Sequence, residues 1–172
     1  MQTLTPTAAA YIAGLVDGEG TVTLSRLHKA GNRRVVLTIA NTELALLQFV
    51  LIQVGSGKIT RKRTTSARHT PSYCYAISSR QALALLKQLL PYLQSYKRQR
   101  AAFALEHYEA LTPRNGKYTT VGLERRHLFE ETLLAMTAAR TVSAHIRNLR
   151  ATLGITNFDP QLIDELKRED RH

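Results

Sequence analysis

Two carboxylates, those of Asp17 and Glu19, directly follow an apolar run near the start of the chain and alternate with Gly18 and Gly20. The run from Ala8 to Val16 predicts a helix, and the C-terminal end of a helix is already electronegative. Acidic side chains are unfavourable at this position unless a positive group offsets their charge. A bound cation is the simplest candidate for that group.

Small residues form a stripe along the same predicted helix. Ala10, Gly14 and Gly18 recur every four residues, which places them on one side of the helix. Such a stripe lets the backbone of a second helix approach closely. The sequence therefore predicts a tight helix–helix contact that ends beside the two carboxylates.

Basic residues are concentrated in the first part of the chain. The 172 residues carry a net charge of +11, and residues 1–105 hold 14 Lys and Arg against three acidic residues. Residues 106–172 hold ten of each, so the first part accounts for the whole excess. A basic region of this kind is typical of a surface that binds a polyanion, and nucleic acid is the leading candidate.

The single cysteine, Cys74, excludes an intrachain disulfide and a cysteine-based zinc site. Together with a start that lacks the basic residues of a signal peptide, this favours a reducing, intracellular compartment. The bacterial cytoplasm and an organelle, either chloroplast or mitochondrion, remain alternatives. The longest apolar run, Ala8 to Val16, is too short to span a membrane, so no membrane partner is expected.

Apolar periodicity and turn residues predict one α+β domain over residues 1–172. The predicted order αββαββα, with one further helix, occupies residues 5–111, and residues 112–172 add helices at 120–137 and 142–153. Four strands are predicted, at 21–27, 34–40, 58–63 and 72–78. The economical packing is an antiparallel sheet with helices on one face, which leaves a saddle-shaped face that is polar, basic and rich in threonine.

The segment Ile12–Gly20, with the sequence IAGLVDGEG, resembles the signature of the LAGLIDADG homing endonucleases. Gly18 stands where alanine is usual, and Glu19 stands where the last aspartate is usual. The αββαββα order, the turn Pro91-Tyr92-Leu93 and the basic helix start KRQRA are also similar to single-motif members of that family. The resemblance covers roughly residues 5–160. It implies a homodimer that cuts double-stranded DNA at a long, pseudo-palindromic site.

The resemblance also implies roles for the acidic end of the first helix. Glu19 would bind the catalytic Mg²⁺ (or Mn²⁺) with the backbone carbonyl of Gly18 as a second ligand, and Asp17 would be structural, capping or bonding around the end of the partner helix. Such a metal polarises the phosphate, activates the attacking water and stabilises the leaving oxygen. The first helices of two copies would meet along a dimer seam that comprises Ala10, Ala13, Gly14, Asp17 and Gly18.

Two further side chains are candidates for the catalytic centre. Lys97 falls where relatives carry a lysine near the scissile phosphate, but the spacing from Pro91 leaves Lys97 and Arg98 as alternatives. A basic group there would stabilise negative charge that develops on the phosphate. Asn41, at the end of the second predicted strand, would orient solvent as a polar residue does in relatives, and a helix N-cap is the equally good alternative.

The outward side of the predicted sheet is the expected base-reading surface, because a sheet or ribbon fits the major groove. Its members are Thr21, Thr23, Ser25, Leu27, Arg34, Val36, Thr38, Thr60, Lys62, Cys74 and Ala76. The side chains expected to contact phosphates are Lys29, Arg33, Arg68, Arg98 and Arg100. Arg61 and Arg63 are further candidates for the DNA backbone. The alternation of that strand leaves open whether Arg61 or Lys62 faces DNA.

The predicted function is metal-dependent, site-specific cleavage of double-stranded DNA by a protein that a mobile intron encodes. The alternatives are a maturase that assists the splicing of its own intron RNA and a DNA-binding protein that does not cut. The presence of Glu19 favours the enzyme. A transcription regulator, which is a third class, predicts no dependence on metal.

Overall fold

Nine elements follow one another along residues 1–26, 32–63, 70–113 and 117–137, which are the residues that the computed structural model describes. They are α1 (Pro6–Glu19), β1 (Gly20–Ser25), β2 (Arg34–Asn41), α2 (Leu44–Val54), β3 (Lys58–Arg61), β4 (Tyr73–Ser78), α3 (Ser79–Leu89), α4 (Lys97–His107) and α5 (Thr120–Ala135). The predicted α+β class and the order αββαββα are confirmed. The helix predicted at 142–153 lies outside the described residues.

The four strands form one antiparallel sheet in the order β1-β2-β4-β3. The register pairs Leu37 with Val22 on one side and with Ile77 on the other, and all three side chains are buried. The neighbouring row, which contains Thr38 and Ala76, points to the opposite face because side chains alternate along a strand. Helices α1, α2 and α3 pack against the first face, so the apolar alternate residues of the strands become the core.

Helix α1 begins and ends at residues whose chemistry suits those positions. The Thr5 hydroxyl accepts a hydrogen bond from the Ala8 amide at 3.2 Å, and Pro6 occupies the first turn, where its missing amide costs nothing. The helix continues to Glu19, two residues further than the sequence predicts. At Gly20 a Cβ would lie 2.6 Å from the Val16 Cα, so glycine is required for the chain to pass directly from α1 into β1.

Helices α4 and α5 pack against each other through aromatic side chains. Phe103 stacks on Phe129 with 5.4 Å between ring centroids, and the Tyr108 ring lies 6.2 Å from that of Phe129. Helix α5 also packs against β1, so it lies beside the first hairpin of the sheet. Among the described residues, no helix combines the length and the apolar character needed to cross a membrane.

Candidate active site

The Asp17 carboxylate is bound to the turn that precedes α4. Its Oδ2 accepts a hydrogen bond from the Gln94 amide at 2.8 Å, and its Oδ1 accepts from the Ser95 amide at 3.2 Å and from the Ser95 hydroxyl at 2.5 Å. A carboxylate with three donors is satisfied without a metal. Asp17 therefore has a structural role, but the segment that its carboxylate binds is the turn before α4 of its own chain. The place of Asp17 in a dimer seam stays a prediction.

Lys97 is the first residue of α4, and its side chain contacts the end of α1. Its Nζ donates hydrogen bonds to the Val16 carbonyl at 2.9 Å and to the Asp17 carbonyl at 2.7 Å, and the residue is only 6% exposed. Burial lowers the pKa of Lys97, while the negative charges of Asp17 and Glu19 act in the opposite direction. The ammonium group thus lies at the electronegative end of α1, where a cation is favourable. Of the two alternatives, Lys97 occupies this site, whereas Arg98 is exposed on the next position of α4.

Glu19 and Gly18 form the last, exposed residues of α1. Because the Asp17 carboxylate is hydrogen-bonded to the turn before α4, Glu19 is the carboxylate at this helix end that remains directed to solvent. Its oxygens suit a hard cation such as Mg²⁺, and nothing lies within 4 Å of the place where a Cβ on Gly18 would be. The described ranges contain no group of three or more His, Cys, Asp or Glu side chains that could hold a metal. Among the described residues, a cation at Glu19 would therefore have to be completed by groups other than such side chains, for example a backbone carbonyl such as that of Gly18.

Asn41 lies at the same end of the sheet as Glu19, because the register pairs Ile39 with Gly20 at the start of β1. Its Oδ1 accepts a hydrogen bond from the Glu43 amide at 2.8 Å, in the turn that leads into α2. The N-cap of α2 is Glu43, so Asn41 is not the helix N-cap, and its bond to the Glu43 amide instead closes the turn before the helix. Its part in orienting solvent stays a prediction.

The exposed face of the sheet carries the residues that alternation assigns to it. We use this name for the face formed by Thr21, Thr23, Ser25, Arg34, Val36, Thr38, Ala40, Lys58, Thr60, Cys74, Ala76 and Ser78. Lys58 was missed by the sequence reasoning, although it is two residues before Thr60 and therefore shares its face. Arg61 pairs with Tyr73 on the opposite face, and the Lys62 amide donates to the Ser72 carbonyl at 2.8 Å just beyond the strand. Alternation from Thr60 thus places Lys62, not Arg61, with the exposed face.

Arg100 is not available to a phosphate, and its predicted role is corrected. It is only 8% exposed, and its guanidinium donates to the backbone carbonyls of Val22 at 2.8 Å, Met136 at 2.6 Å and Leu134 at 3.3 Å. These bonds join α4 to β1 and to the end of α5. The sequence shows the charge of Arg100 but not its acceptors, which belong to segments distant in the chain.

The other predicted phosphate contacts differ in their positions. Arg98 and Arg63 are exposed, whereas the Nε of Arg33 lies 3.4 Å from a carboxylate oxygen of Glu130. The predicted residues Leu27, Lys29 and Arg68 lie outside the described residues. Arg63 and Arg98 are therefore open to a polyanion, whereas the Arg33 guanidinium lies beside Glu130.

All three residues of the small-residue stripe of α1 face outward, whereas one other predicted seam residue does not. Ala10, Gly14 and Gly18 are exposed, and a Cβ on either glycine would meet nothing within 4 Å. Ala13, by contrast, is completely buried in the core of its own chain, so its predicted place in a dimer seam is wrong. Its position one residue from Gly14 turns it by about 100° around the helix, towards the sheet.

An apolar patch continues outward from the stripe. Tyr11 is 47% exposed and meets the 37% exposed Phe49 of α2 edge to face, with 5.3 Å between ring centroids. Ile52, on the same helix as Phe49, is 68% exposed. The sequence reasoning did not single out this patch, because α2 is apolar on nearly every side.

Solved structures share this fold. The homing endonuclease I-CvuI, in complex with its target, is 20% identical over 88% of this chain and 98% of that chain, with a TM-score of 0.64. The archaeal intron-encoded homing endonuclease I-Vdi141I, complexed with DNA, is 14% identical over 86% of this chain and 95% of that chain, with a TM-score of 0.54. The homing endonuclease I-TnaI is 19% identical over 89% and 98%, with a TM-score of 0.53.

Sequence comparison gives the family directly. No curated protein matches the chain. The profile of the family described as a LAGLIDADG-like domain matches residues 6–91, which run from the first turn of α1 to the second residue after α3 and include the whole sheet. With the nine-residue segment Ile12–Gly20 at the junction of α1 and β1, and with the fold of the homing endonucleases, the chain belongs to the LAGLIDADG family.

Proposed function

We propose that the chain is a site-specific endonuclease that cuts double-stranded DNA as a homodimer with the help of a divalent metal. The observation that carries the proposal is that three charged side chains at the end of α1 have different environments. Asp17 is satisfied by Gln94 and Ser95, Lys97 is buried against the helix end, and Glu19 alone is directed to solvent. A helix end with only a structural role would not need the exposed Glu19 carboxylate, because the Asp17 carboxylate already makes the bonds that hold this end in place.

Glu19 is the proposed metal ligand of the chain, with the Gly18 carbonyl beside it. Mg²⁺, or Mn²⁺ in its place, would polarise the scissile phosphate and lower the pKa of a bound water. The Glu19 carboxylate would hold the cation close to the phosphate. Lys97 would contribute positive charge to the same place, because its ammonium is fixed by two carbonyls and needs no reorganisation during the reaction.

Homodimer formation is proposed from the exposed stripe on α1. A chain with one motif supplies one Glu19, whereas cutting both strands requires a second centre. Two copies related by a two-fold axis would bring the open faces at Gly14 and Gly18 together and place the two Glu19 side chains near that axis. An isologous dimer of this kind would bind a pseudo-palindromic DNA site.

The exposed face of the sheet is the proposed DNA surface. The residues around it include the basic side chains Lys58, Lys62, Arg63 and Arg98, and the chain has a net charge of +11. Hydroxyl groups and arginine on the face suit base edges in the major groove, while these basic side chains suit phosphates. The relatives I-CvuI and I-Vdi141I, which share the fold, were solved in complex with DNA.

The central experiment separates binding from cutting. Sites are selected from a randomised duplex library by wild-type protein in Ca²⁺, and the selected duplexes are then incubated with Mg²⁺, Mn²⁺ or EDTA. Wild type should cut both strands in Mg²⁺ or Mn²⁺ and not in EDTA. Glu19→Gln should bind with similar affinity but cut at least roughly 10²-fold more slowly, whereas the matched variant of an exposed acid before α2, Glu43→Gln, should cut normally.

Four outcomes would contradict the proposal in different ways. Binding without cutting in any metal would leave a DNA-binding protein, and selective binding of structured intron RNA would favour the maturase. A stable monomer on DNA in sedimentation would remove the homodimer. Affinity that does not fall with increasing salt would argue against phosphate contacts by the basic side chains around the exposed face.

A further inference from the structure

Arg126, on α5, is a buried arginine whose Nε, Nη1 and Nη2 each donate a hydrogen bond within the chain. It is 2% exposed, and its Nε donates to Glu130 Oε1 at 3.1 Å. Its Nη1 donates to the Leu111 carbonyl at 3.4 Å and to the Thr112 hydroxyl, and its Nη2 donates to the Arg33 carbonyl. A guanidinium that joins α5 to the segment after α4 and to the residue before β2 fixes these three segments relative to one another.

The Glu130 carboxylate, which binds Arg126, also holds the side chain of Arg33. While Oε1 of Glu130 accepts from Arg126, its Oε2 lies 3.4 Å from the Arg33 Nε. Arg33 is therefore bound twice, through its carbonyl by Arg126 and through its guanidinium by Glu130. The Glu130 side chain is 11% exposed and that of Arg33 is 31% exposed, so the ion pair extends from the interior to the surface.

Arg34, the next residue, opens β2 on the exposed face of the sheet. It pairs with Ser25, the last residue of β1. Its Nε is buried and has no hydrogen-bond partner among the described residues. A buried donor without an acceptor is unfavourable, so this atom would gain from an acceptor supplied by a bound molecule. Base edges and phosphates provide such acceptors.

We propose that Arg126 and Glu130 are positioning residues that set the orientation of Arg33 and Arg34 on DNA. This inference rests on the proposed function. It assigns α5, which carries no residue of the exposed face, a part in sequence selectivity at the outer end of each half-site. If Arg126 and Glu130 had only a structural role, loss of their ion pair would weaken binding to all DNA sequences equally.

The register gives the place on DNA where the effect should appear. Arg34 pairs with Ser25, five residues along β1 from Gly20, which follows Glu19. At about 3.3 Å per residue this is roughly 17 Å. Base pairs are stacked about 3.4 Å apart, so Arg34 should act roughly five base pairs outward from the pairs nearest Glu19.

The test compares position-resolved selectivity of folded variants. Wild type, Glu130→Gln and the control Glu131→Gln each select binding sites from the same randomised duplex library in Ca²⁺, and circular dichroism reports the folded fraction. Glu131 is the neighbouring acid, exposed and paired with His127. Glu130→Gln should lose about tenfold in discrimination at the outer base pairs and keep its discrimination near the centre, while Glu131→Gln should match wild type.

A second variant covers the case in which Glu130→Gln does not fold. Arg33→Gln breaks the same ion pair from its exposed end and leaves Arg126 bonded to Glu130. It should give the same loss at the outer positions, whereas loss of a phosphate contact alone would weaken all sequences uniformly.

An unchanged or uniformly weakened profile in the folded variants would overturn the positioning role while leaving the endonuclease proposal in place. If wild type selects no sequence at all, both the DNA function and this inference fail.

Discussion

Asp17 and Lys97 each bond to the helix end that carries the other. The Asp17 carboxylate accepts from the amides of Gln94 and Ser95 just before α4, and the Lys97 ammonium donates to the carbonyls of Val16 and Asp17 at the end of α1. Lys97 thus supplies a donor to the Asp17 carbonyl, in the last turn of α1 where carbonyls lack helical partners, while Asp17 supplies acceptors to the amides of the turn before α4. The reciprocal arrangement fixes the last turn of α1, and therefore Glu19, relative to α4.

Removing the Asp17 carboxylate should destabilise the fold. Asp17→Ala leaves two amides and the Ser95 hydroxyl without their acceptor, so the free energy of unfolding should fall by about 1–2 kcal/mol. Asp17→Asn keeps one oxygen acceptor and should lose less. Urea unfolding followed by circular dichroism measures both. Equal stability of Asp17→Ala and wild type would show that the bonds to Gln94 and Ser95 contribute nothing.

Lys97 should make stability depend on pH. Burial lowers its pKa from 10.5, so in the window just below 10.5 the unfolded chain binds this proton and the folded chain does not. The free energy of unfolding should therefore rise with pH through that window. The difference in this free energy between wild type and Lys97→Met isolates the effect, because the buried Tyr75, whose pKa is raised, is common to both proteins. A difference that is constant or falls as the pH approaches 10.5 would contradict the shift.

The backbone at Ser79 should accommodate glycine at a lower cost in stability than it does serine. It begins α3 with a φ of +57°, in the left-handed region that L-residues other than Asn and Asp rarely adopt. Ser79→Gly should raise the free energy of unfolding by about 0.5–1 kcal/mol, and Ser79→Val should lower it, because a β-branched side chain fits this backbone worst. Thermal and urea unfolding give the sign. Destabilisation by glycine would show that the Ser79 side chain contributes more than the strain costs.

The outer face of α1 should control association without controlling the fold. Gly14→Gln adds a side chain where nothing lies within 4 Å, so the single chain should keep its melting temperature or gain slightly from the better helix former. The same side chain would block a close helix–helix approach, and sedimentation should then report a monomer. Ala110→Gln, at another exposed small residue, is the control. A dimer that survives Gly14→Gln would place the seam elsewhere.

Strand residues could be assigned to faces from the sequence because alternation repeats every two residues and is independent of distant segments. Val22, Leu37 and Ile77 are buried, while Thr21, Thr38 and Ala76 are on the exposed face, as the pattern predicts. The cap at Thr5 is equally local.

The residues that sequence reasoning misplaced depend on contacts distant in the chain. Arg100 resembles any surface arginine until its acceptors on β1 and at the end of α5 are known. Ala13 is as small as Gly14, and only the direction of the sheet determines which of them is buried. The bonds of Lys97 span about eighty residues, so the choice between Lys97 and Arg98 could not be made from local spacing.

The two faces of the sheet share strands but not side chains. Val36, Thr38, Cys74 and Ala76 contribute little to the interior, whose apolar residues occupy the alternate positions. Substitutions on the exposed face therefore leave the interior intact, and their effect on stability should be small. If the exposed face reads DNA as proposed, a lineage of such proteins could change its target sequence one residue at a time while every intermediate still folds. The residues that maintain the fold would then be inherited independently of those that select the target.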